Sequence, residues 1–445
     1  MKGIFTILLL FITHLHASPS LIEQGNQFLQ QQKLDEAHHC FSQALTQTIQ
    51  DSEQYAIGNA LLNLGNMYYQ QAAMEKSATI FQQLVDLFPH SSAVHHNLGL
   101  TLVELTRYDK AEKVLAHACM LKPDNPDFHV ALATTQLALG NYEQGWENYE
   151  QRWQQPDKKA LTFSAIRWDG IQSLRGKTIL LLSEGALGDC IQFVRYAQCI
   201  KELGATVILK TLKPLTSLLS NCSYIDKIIT EKEPLPATDY YTSLMSLPAL
   251  MHTTIDTVPI PIPYINAEPT LIELWKNKFI DANNINIGIC WQADTTNDAN
   301  RPPQAQRSIP ADMLAPLALL PNIKLYSLQQ GAVAPPCMHD FGPTVDTANG
   351  RFMDTAAIMC NLDLVISVDT AIAHLAGALG TPTWLILPYK ADWRWLTTQR
   401  TTPWYPTMHI FRKNQSEPWT TVIEKIIDKV SFFIIKKETA HEKIL

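Results

Sequence analysis

The stretch LDLVISVDTAIAHLAGALGTPTWLIL, residues 362–387, decides the fold of the second half of this chain. Residues 362–368 are a mainly apolar run, which reads as a strand buried on both faces. Asp369 interrupts the run, and the residues after it take helical spacing. Gly377 and Gly380 close the helix, and after Pro382 residues 383–387 read as a second buried strand. Strand, acidic cap, small-residue helix and strand make one half of a nucleotide-binding α/β sheet. Asp369 is expected to cap the helix, with Thr370 and Ala371 in its first turn. The free backbone N–H groups there favour an anion, typically a phosphate. Thr370 and His374 are four apart and share one helix face. A capped core helix with a buried His is the other reading of the same residues.

Upstream, KTILLLSEGALGDCIQFVRYAQCIKELGATVILK reads strand, turn, helix, strand. The strands are expected at 179–182 and 206–210, with a helix over 190–203 between them. Residues 225–230 read as a third strand, and 239–244 lead into a fourth. The Pro-rich stretch at 259–269 reads as a linker. New buried strands are expected at 286–291 and 324–328, ahead of the pair already described. Two α/β halves, 175–265 and 285–430, therefore flank the linker. In such sheets ligands sit at the carboxyl ends of the strands. That gathers SEGALGD, the loop after Trp291, the SLQQG turn and Asp369 to His374 around one cleft.

Residues 20–155 follow a different rule. Gly65, Gly99 and Ala133 are spaced by a constant 34, and the step from Gly25 to Gly65 is six residues longer. Each of the three glycines is followed three residues on by an aromatic or large apolar residue, Phe28, Tyr68 and Leu102, and further on by Ala37, Ser77 or Ala111. A 34-residue period with small residues at these offsets marks tetratricopeptide repeats, three clear and one degenerate. Small residues let paired helices approach, and Pro89 and Pro123 end the second helices. Such a solenoid binds a partner in its groove or acts as a spacer. Trp146, Tyr149 and Trp153 form one aromatic face of the last repeat. The segment 163–168 is expected to cover it, docking the solenoid on the α/β body.

Composition excludes some functions. Net charge is −7, and no long basic block appears, which argues against a nucleic-acid partner. The eight cysteines make no C-x-x-C and read as reduced core residues. Neither H-E-x-x-H nor D-x-D occurs, so metal-independent chemistry without a cofactor is expected. The opening MKGIFTILLLFITHLHAS has the layout of a secretory signal peptide over residues 1–18. Its apolar stretch is short for a membrane span. An extra helix packed on the first repeat is the alternative. The chain is thus expected either on the cytoplasmic side, with membrane contact through residues 1–17, or exported.

The segments EGALGDCIQFVRY, GICWQA, RSIP, YSLQQG, FMDTAAIM, LDLVISVDTAIAHLAGALG, DWRWL and PWYPTMHIFR fall in family order. Together with the repeats they resemble bacterial repeat proteins whose C-terminal domain is similar to glycosyltransferase family 9, the ADP-heptose heptosyltransferase group. The layout is more distantly similar to protein O-GlcNAc transferases. The resemblance implies an all-α solenoid followed by a GT-B type, two-lobed α/β glycosyltransferase domain. It implies transfer of a sugar from a nucleotide diphosphate sugar, the co-substrate, to a protein or glycan acceptor reached through the repeat groove. Asp189 matches the family's proposed base, although an N-cap role also fits it, and Glu184 is the reserve base. Thr370, Ala371 and His374 would line the phosphates and Asp369 the sugar hydroxyls. Arg307 would supply a cation. Trp291, Gln329 and Met353 would stack on or read the base, with Trp291 also readable as core. Arg394 would help close the cleft, and Asp354 reads as a cap. One departure stands out: the Gly before Leu in the family's loop is Ala186 here, which would bend the loop differently. A degenerate, non-catalytic scaffold is the alternative function, and a nucleotide-sugar isomerase or hydrolase a further one.

Overall fold

A computed structural model describes residues 20–47, 51–156, 165–259, 262–281, 283–294 and 306–442. The signal-like segment lies outside the described residues. The chain divides into two compact units, 1–105 and 106–445.

The first unit is helical: α1 Leu21–Gln30, α2 Leu34–Gln47, α3 Asp51–Gln70, α4 Met74–Leu87 and α5 Ser92–Glu104. Ser20 opens it with a reciprocal cap. Its hydroxyl accepts from Glu23 N at 3.2 Å, and the Glu23 carboxylate accepts from Ser20 N at 2.8 Å. The repeat glycines do what their spacing implies. A Cβ on Gly25 would lie 2.4 Å from the ring of Phe41, and one on Gly65 would lie 2.8 Å from Phe81. Both rings are buried, so the small residue sets the closeness of each helix pair. α4 stops at Leu87, two residues before Pro89, as expected.

The second unit begins with α6 Tyr108–Leu121, α7 Pro126–Leu139 and α8 Tyr142–Tyr149, followed by a 3₁₀ turn Glu150–Gln154. Two parallel sheets follow. The first contains β1 Ile166–Arg167, β2 Thr178–Leu182, β3 Thr206–Lys210, β4 Lys227–Ile229 and β5 Tyr240–Ser243, in the order β1-β5-β2-β3-β4. The second contains β6 Ile285–Cys290, β7 Ile323–Ser327, β8 Leu364–Val368, β9 Thr383–Leu387 and β10 Met408–Arg412, in the order β10-β9-β8-β6-β7. This is the GT-B type arrangement of two parallel α/β lobes. In the first sheet the order reverses between β2 and β5, and in the second between β6 and β8. Those two switch points are where such sheets hold ligands.

The helices that matter for the site are α9 Leu187–Phe193, α10 Arg195–Glu202, α11 Pro269–Phe279, α12 Met353–Met359 and α13 Ala371–Leu379; α14 Trp419–Glu442 backs the second sheet. Three boundaries differ from expectation. The helix expected over 190–203 starts at Leu187 and pauses at Val194. The first lobe begins with β1, before residue 175, because Ile166 and Arg167 pair with Tyr240 and Tyr241. β10 also escaped, since its alternation is mixed with polar residues. Among the described residues no helix is long and apolar enough to cross a membrane. The described cysteines are all free, and most are buried; Cys360 is exposed, not a core residue.

The aromatic face of the last repeat is covered in part by the expected segment, where Arg167 lies over the Trp153 ring at 4.4 Å, and in larger part by the α/β body. Trp146 is 2% exposed and packs edge-on against Phe193, Trp393 and Trp404 at 6.1, 5.4 and 6.3 Å. Phe163 lies outside the described residues. Trp168 joins the same core, and Trp153 donates its Nε1–H to Ser246 Oγ at 3.1 Å. The last repeat is therefore part of the α/β body. Trp146→Ala should destabilise the second unit by about 3–5 kcal/mol, the usual cost of emptying a buried aromatic site. Urea unfolding of the full chain, followed by a probe in the second unit, checks this; a loss under about 1 kcal/mol would mean a surface contact only.

Candidate active site

β8 ends at Val368 in the middle of the second sheet. Asp369 leaves the strand, and Thr370 is the residue that stands at the helix N-cap, with φ −144° and ψ 174°. This corrects the expectation that Asp369 caps α13 with Thr370 in the first turn. The Thr370 side chain does not bond to the first-turn amides. Its Oγ1 lies instead 3.3 Å from Ser367 Oγ and 3.7 Å from Cys290 Sγ, across the β6–β8 switch point. The start of α13 thus has its positive dipole end and no side-chain cap. Ala371 is the first helical residue. Asp369 is buried, and that burial pushes its carboxyl above the ordinary range, against the nearby Arg307. Arg307 Nη1 stands 3.6 Å from Asp369 Oδ2.

His374 sits one turn into α13 and is 5% exposed. Its Nδ1 is 2.8 Å from the Tyr405 hydroxyl, and its ring lies tilted on Trp395 with centroids 5.0 Å apart. Burial, aided by the Arg394 cation, pushes its pKa down to about 3. The ring is therefore neutral at physiological pH, and any contact it makes with a phosphate is a neutral hydrogen bond, not a charge-assisted one. α13 packs against α9 of the other lobe. The approach is tight: a Cβ on Gly188 would stand 2.9 Å from His374 Cδ2 and 3.4 Å from its Nε2.

α9 brings the expected base to this seam. Asp189 Oδ2 accepts from Ala186 N at 2.6 Å, and its Oδ1 accepts from Arg394 Nη2 at 2.6 Å. The residue is thus both a cap of its helix and the partly exposed half of an ion pair between the lobes. Ala186 does not distort the loop. Its φ of −96° and ψ of −177° suit any residue. The glycine the turn needs is Gly185, which has φ +73° and whose Cβ would fall 2.2 Å from Asp189 Oδ2. Glu184, the reserve base, is committed elsewhere. It accepts from Arg152 Nη2 at 2.6 Å and from Ser243 Oγ. Arg152 also donates to Glu150 at 2.5 Å and to Ser246 Oγ at 2.9 Å. Glu184 therefore ties the last repeat to the β2–β5 switch point.

The remaining expected donor residues divide. Gln329, just beyond β7, accepts from Gln292 N at 2.9 Å and from the Cys290 thiol at 3.4 Å. It lines a cavity of about 870 Å³ bounded also by Gln330, Asp346, Arg351 and Thr355. Asp346 holds that wall, accepting from Thr355 N at 3.0 Å and from Gln330 Nε2 at 2.9 Å. Trp291, 4% exposed, packs in the second lobe's core with Ile309 and Val368 and does not face the cavity. Met353 is 5% exposed and belongs to the other core cluster. Asp354 caps nothing in its own helix; it accepts from Trp275 Nε1 at 2.9 Å and from Asp346 N at 2.8 Å. The cavity does not reach Asp189 or His374, which lie in a closed seam.

Sequence reasoning missed Arg152, Gln192 and Trp395. Gln192 is fully buried, and its Oε1 accepts from Arg394 Nε at 2.8 Å. Its Nε2 is a buried donor with no acceptor among the described residues. Such groups are costly unless something completes them. No spacing rule marks these three; only the shared helix face of Gly188 and Gln192 pointed at the seam. Among the described residues no group of three or more His, Cys, Asp or Glu is placed to hold a metal.

Comparison with known proteins agrees with the repeat reading. Tetratricopeptide repeat models match residues 22–92 and 92–125. Protein FlbA of Caulobacter vibrioides is 25% identical over 405 residues, covering 83% of this chain and 65% of that protein. The chain thus spans just under two thirds of that relative's length. A glycosyltransferase family 9 structure from Veillonella parvula aligns with a TM-score of 0.38 at 13% identity, covering 59% of this chain and 92% of that one. YrrB, a tetratricopeptide protein described as having an unusual peptide-binding site, aligns with a TM-score of 0.26 at 19% identity, covering 31% of this chain and 69% of that one. Residues 22–125 are tetratricopeptide repeats, and a body of two parallel α/β lobes follows them.

Proposed function

We propose that this protein transfers a sugar from a nucleotide diphosphate sugar to an acceptor hydroxyl, with the repeats holding the acceptor or a partner. One observation carries the reading: Asp189 on α9 and the uncapped start of α13 with His374 meet across a seam between two parallel α/β lobes. In this proposal the diphosphate lies at the α13 N-terminus, where backbone amides and the dipole favour it. Arg307 adds positive charge. With the Tyr405 hydroxyl donating to Nδ1, the His374 Nε2–H is available to a phosphate oxygen. The nucleoside fills the cavity beside Gln329. Asp189 takes the acceptor proton as the glycosidic bond to the leaving diphosphate breaks.

A non-catalytic scaffold is the second reading. It is favoured by the engagement of both Asp189 oxygens and by the closed contact between Gly188 and His374. Thermal-shift screening with nucleotide diphosphate sugars, followed by assay of nucleoside diphosphate release, separates the two. A ligand of the folded state raises its melting temperature in either case, but only the transferase turns over.

Two substitutions test the roles. Asp189→Asn should keep donor binding and lower turnover by about 10² to 10⁴, the usual worth of a general base. Turnover within a few-fold of the parent would leave Asp189 as a cap alone. His374→Ala should weaken nucleoside diphosphate binding by about 0.5–1.5 kcal/mol, the worth of a neutral hydrogen bond. Calorimetry that finds unchanged affinity removes His374 from the phosphate site.

A further inference from the structure

The 3₁₀ turn Trp393–Trp395 directs three consecutive side chains to three different parts of the second unit. Trp393 packs edge-on against Trp146 of the last repeat at 5.4 Å. Trp395 lies on His374 of α13 at 5.0 Å. Arg394 reaches Asp189 of α9 at 2.6 Å. Each guanidinium nitrogen has its own partner: Nε donates to Gln192 Oε1 at 2.8 Å, Nη1 to Asp392 Oδ1 at 2.8 Å and Nη2 to Asp189 Oδ1. The plane is further sandwiched by Trp393, at 4.2 Å from its ring centroid, and Phe193, at 5.8 Å.

The turn is held in a conformation the chain does not adopt cheaply. Leu396 has φ +55° and ψ −174°, a region that favours glycine. Arg412 Nη2 fixes it by donating to the carbonyls of Trp395 and Leu396 at 3.0 and 2.8 Å. Asp392 caps the turn by accepting from Arg394 N at 3.0 Å. Strain of this kind persists only where the surroundings over-determine it, and it clusters at functional sites. A buried ion pair, by contrast, adds little net stability over a well-packed apolar replacement. Stability alone therefore does not account for so many constraints on one arginine.

We propose that Arg394 is a positioning residue: the strained Trp393–Trp395 turn, braced by the last repeat, aims the Asp189 carboxylate at the start of α13. This rests on the transferase reading. Asp189 keeps its bond to Ala186 N if Arg394 is removed, so its capping role survives while its second oxygen loses its fixed direction. Each carboxylate oxygen has a further lone pair, so the contact with Arg394 leaves room for an acceptor hydroxyl. A lysine supplies the charge at this point but not the planar fork that spans Gln192, Asp392 and Asp189.

The test uses the full chain with Arg394→Gln, Arg394→Lys, Asp189→Asn and the double variant of Asp189→Asn with Arg394→Gln. Amide hydrogen exchange is the first readout. Arg394→Gln should speed exchange of residues 185–190 about tenfold while α7, α8 and the sheet strands keep their protection. Exchange that is unchanged there, or faster throughout the unit, overturns the proposal. Turnover with the donor found by screening is the second readout. Arg394→Gln should lower kcat about 10²-fold without raising the donor KM, as a misaligned base does, with Arg394→Lys in between. In the Asp189→Asn background the same change should cost nothing more, because Arg394 acts through Asp189; an additive loss overturns the proposal. If Arg394→Gln does not fold, Arg394→Lys carries both readouts. If the parent turns over no donor, the transferase reading fails, and the exchange pattern still decides whether Arg394 positions Asp189.

Discussion

A guanidinium enclosed between two lobes has to be neutralised where it stands, and the geometry around the cleft follows from that requirement at Arg394. Burial works against its charge, but the carboxylates of Asp392 and Asp189 more than offset it and hold its pKa above the ordinary value. The same pairing works in reverse on Asp392, where burial pushes the carboxyl up and Arg394 brings it below its usual range. The pair thus locks α9 of one lobe to the turn after β9 of the other. Once α9 is fixed, Gly188 has to lie against His374, and only a residue without a side chain fits there. The neutrality of His374 is a consequence as well. An aromatic, buried seam that already holds Arg394 and Arg195 does not accept a further cation.

The parts of this structure that repeat were legible from the residues. Strands β3 and β9 lie where their apolar runs place them, because a strand buried on both faces has nothing to do but be apolar. The solenoid was legible for a similar reason: Gly25 and Gly65 are small because Phe41 and Phe81 need the space. The edge strands β1 and β10 were not. β1 has two residues, one of them exposed, and its place depends on pairing with β5, which no local pattern encodes.

The candidate site was legible in its anchor residues and not in their connections. Asp189, Asp369, Thr370 and His374 stand at strand ends and helix starts, where topology alone puts ligand-facing groups. Their partners come from far along the chain: Asp189 from Arg394, Glu184 from Arg152, and His374 from Tyr405. Trp291 takes the second of its two readings, as core. It follows a central strand, at the end that faces ligand, yet its side chain turns into the core beside Ile309. A position in the chain sets where a backbone goes, whereas the direction of a large side chain is settled by which neighbours leave room for it.

The two switch points are used differently, and this bears on why a repeat segment is fused to this body. In the second lobe the crevice between β6 and β8 carries Thr370 and a helix start without a side-chain cap. In the first lobe the equivalent crevice between β2 and β5 is filled from within: Glu184 and Ser243 at its mouth receive Arg152, which stacks on Tyr149 at 4.5 Å. The protein's own last repeat thus takes the place a ligand would have there. Arg152 and Arg167 face Glu150 and Glu184, two cations against two carboxylates, so the plug is neutral. The plug also makes the last repeat part of the wall that holds Glu184, two residues before the Ala186 amide to which Asp189 is bonded. The last repeat thus touches the surroundings of the Asp189 loop twice, through Arg152 on Glu184 and through Trp146 on Trp393, the neighbour of Arg394.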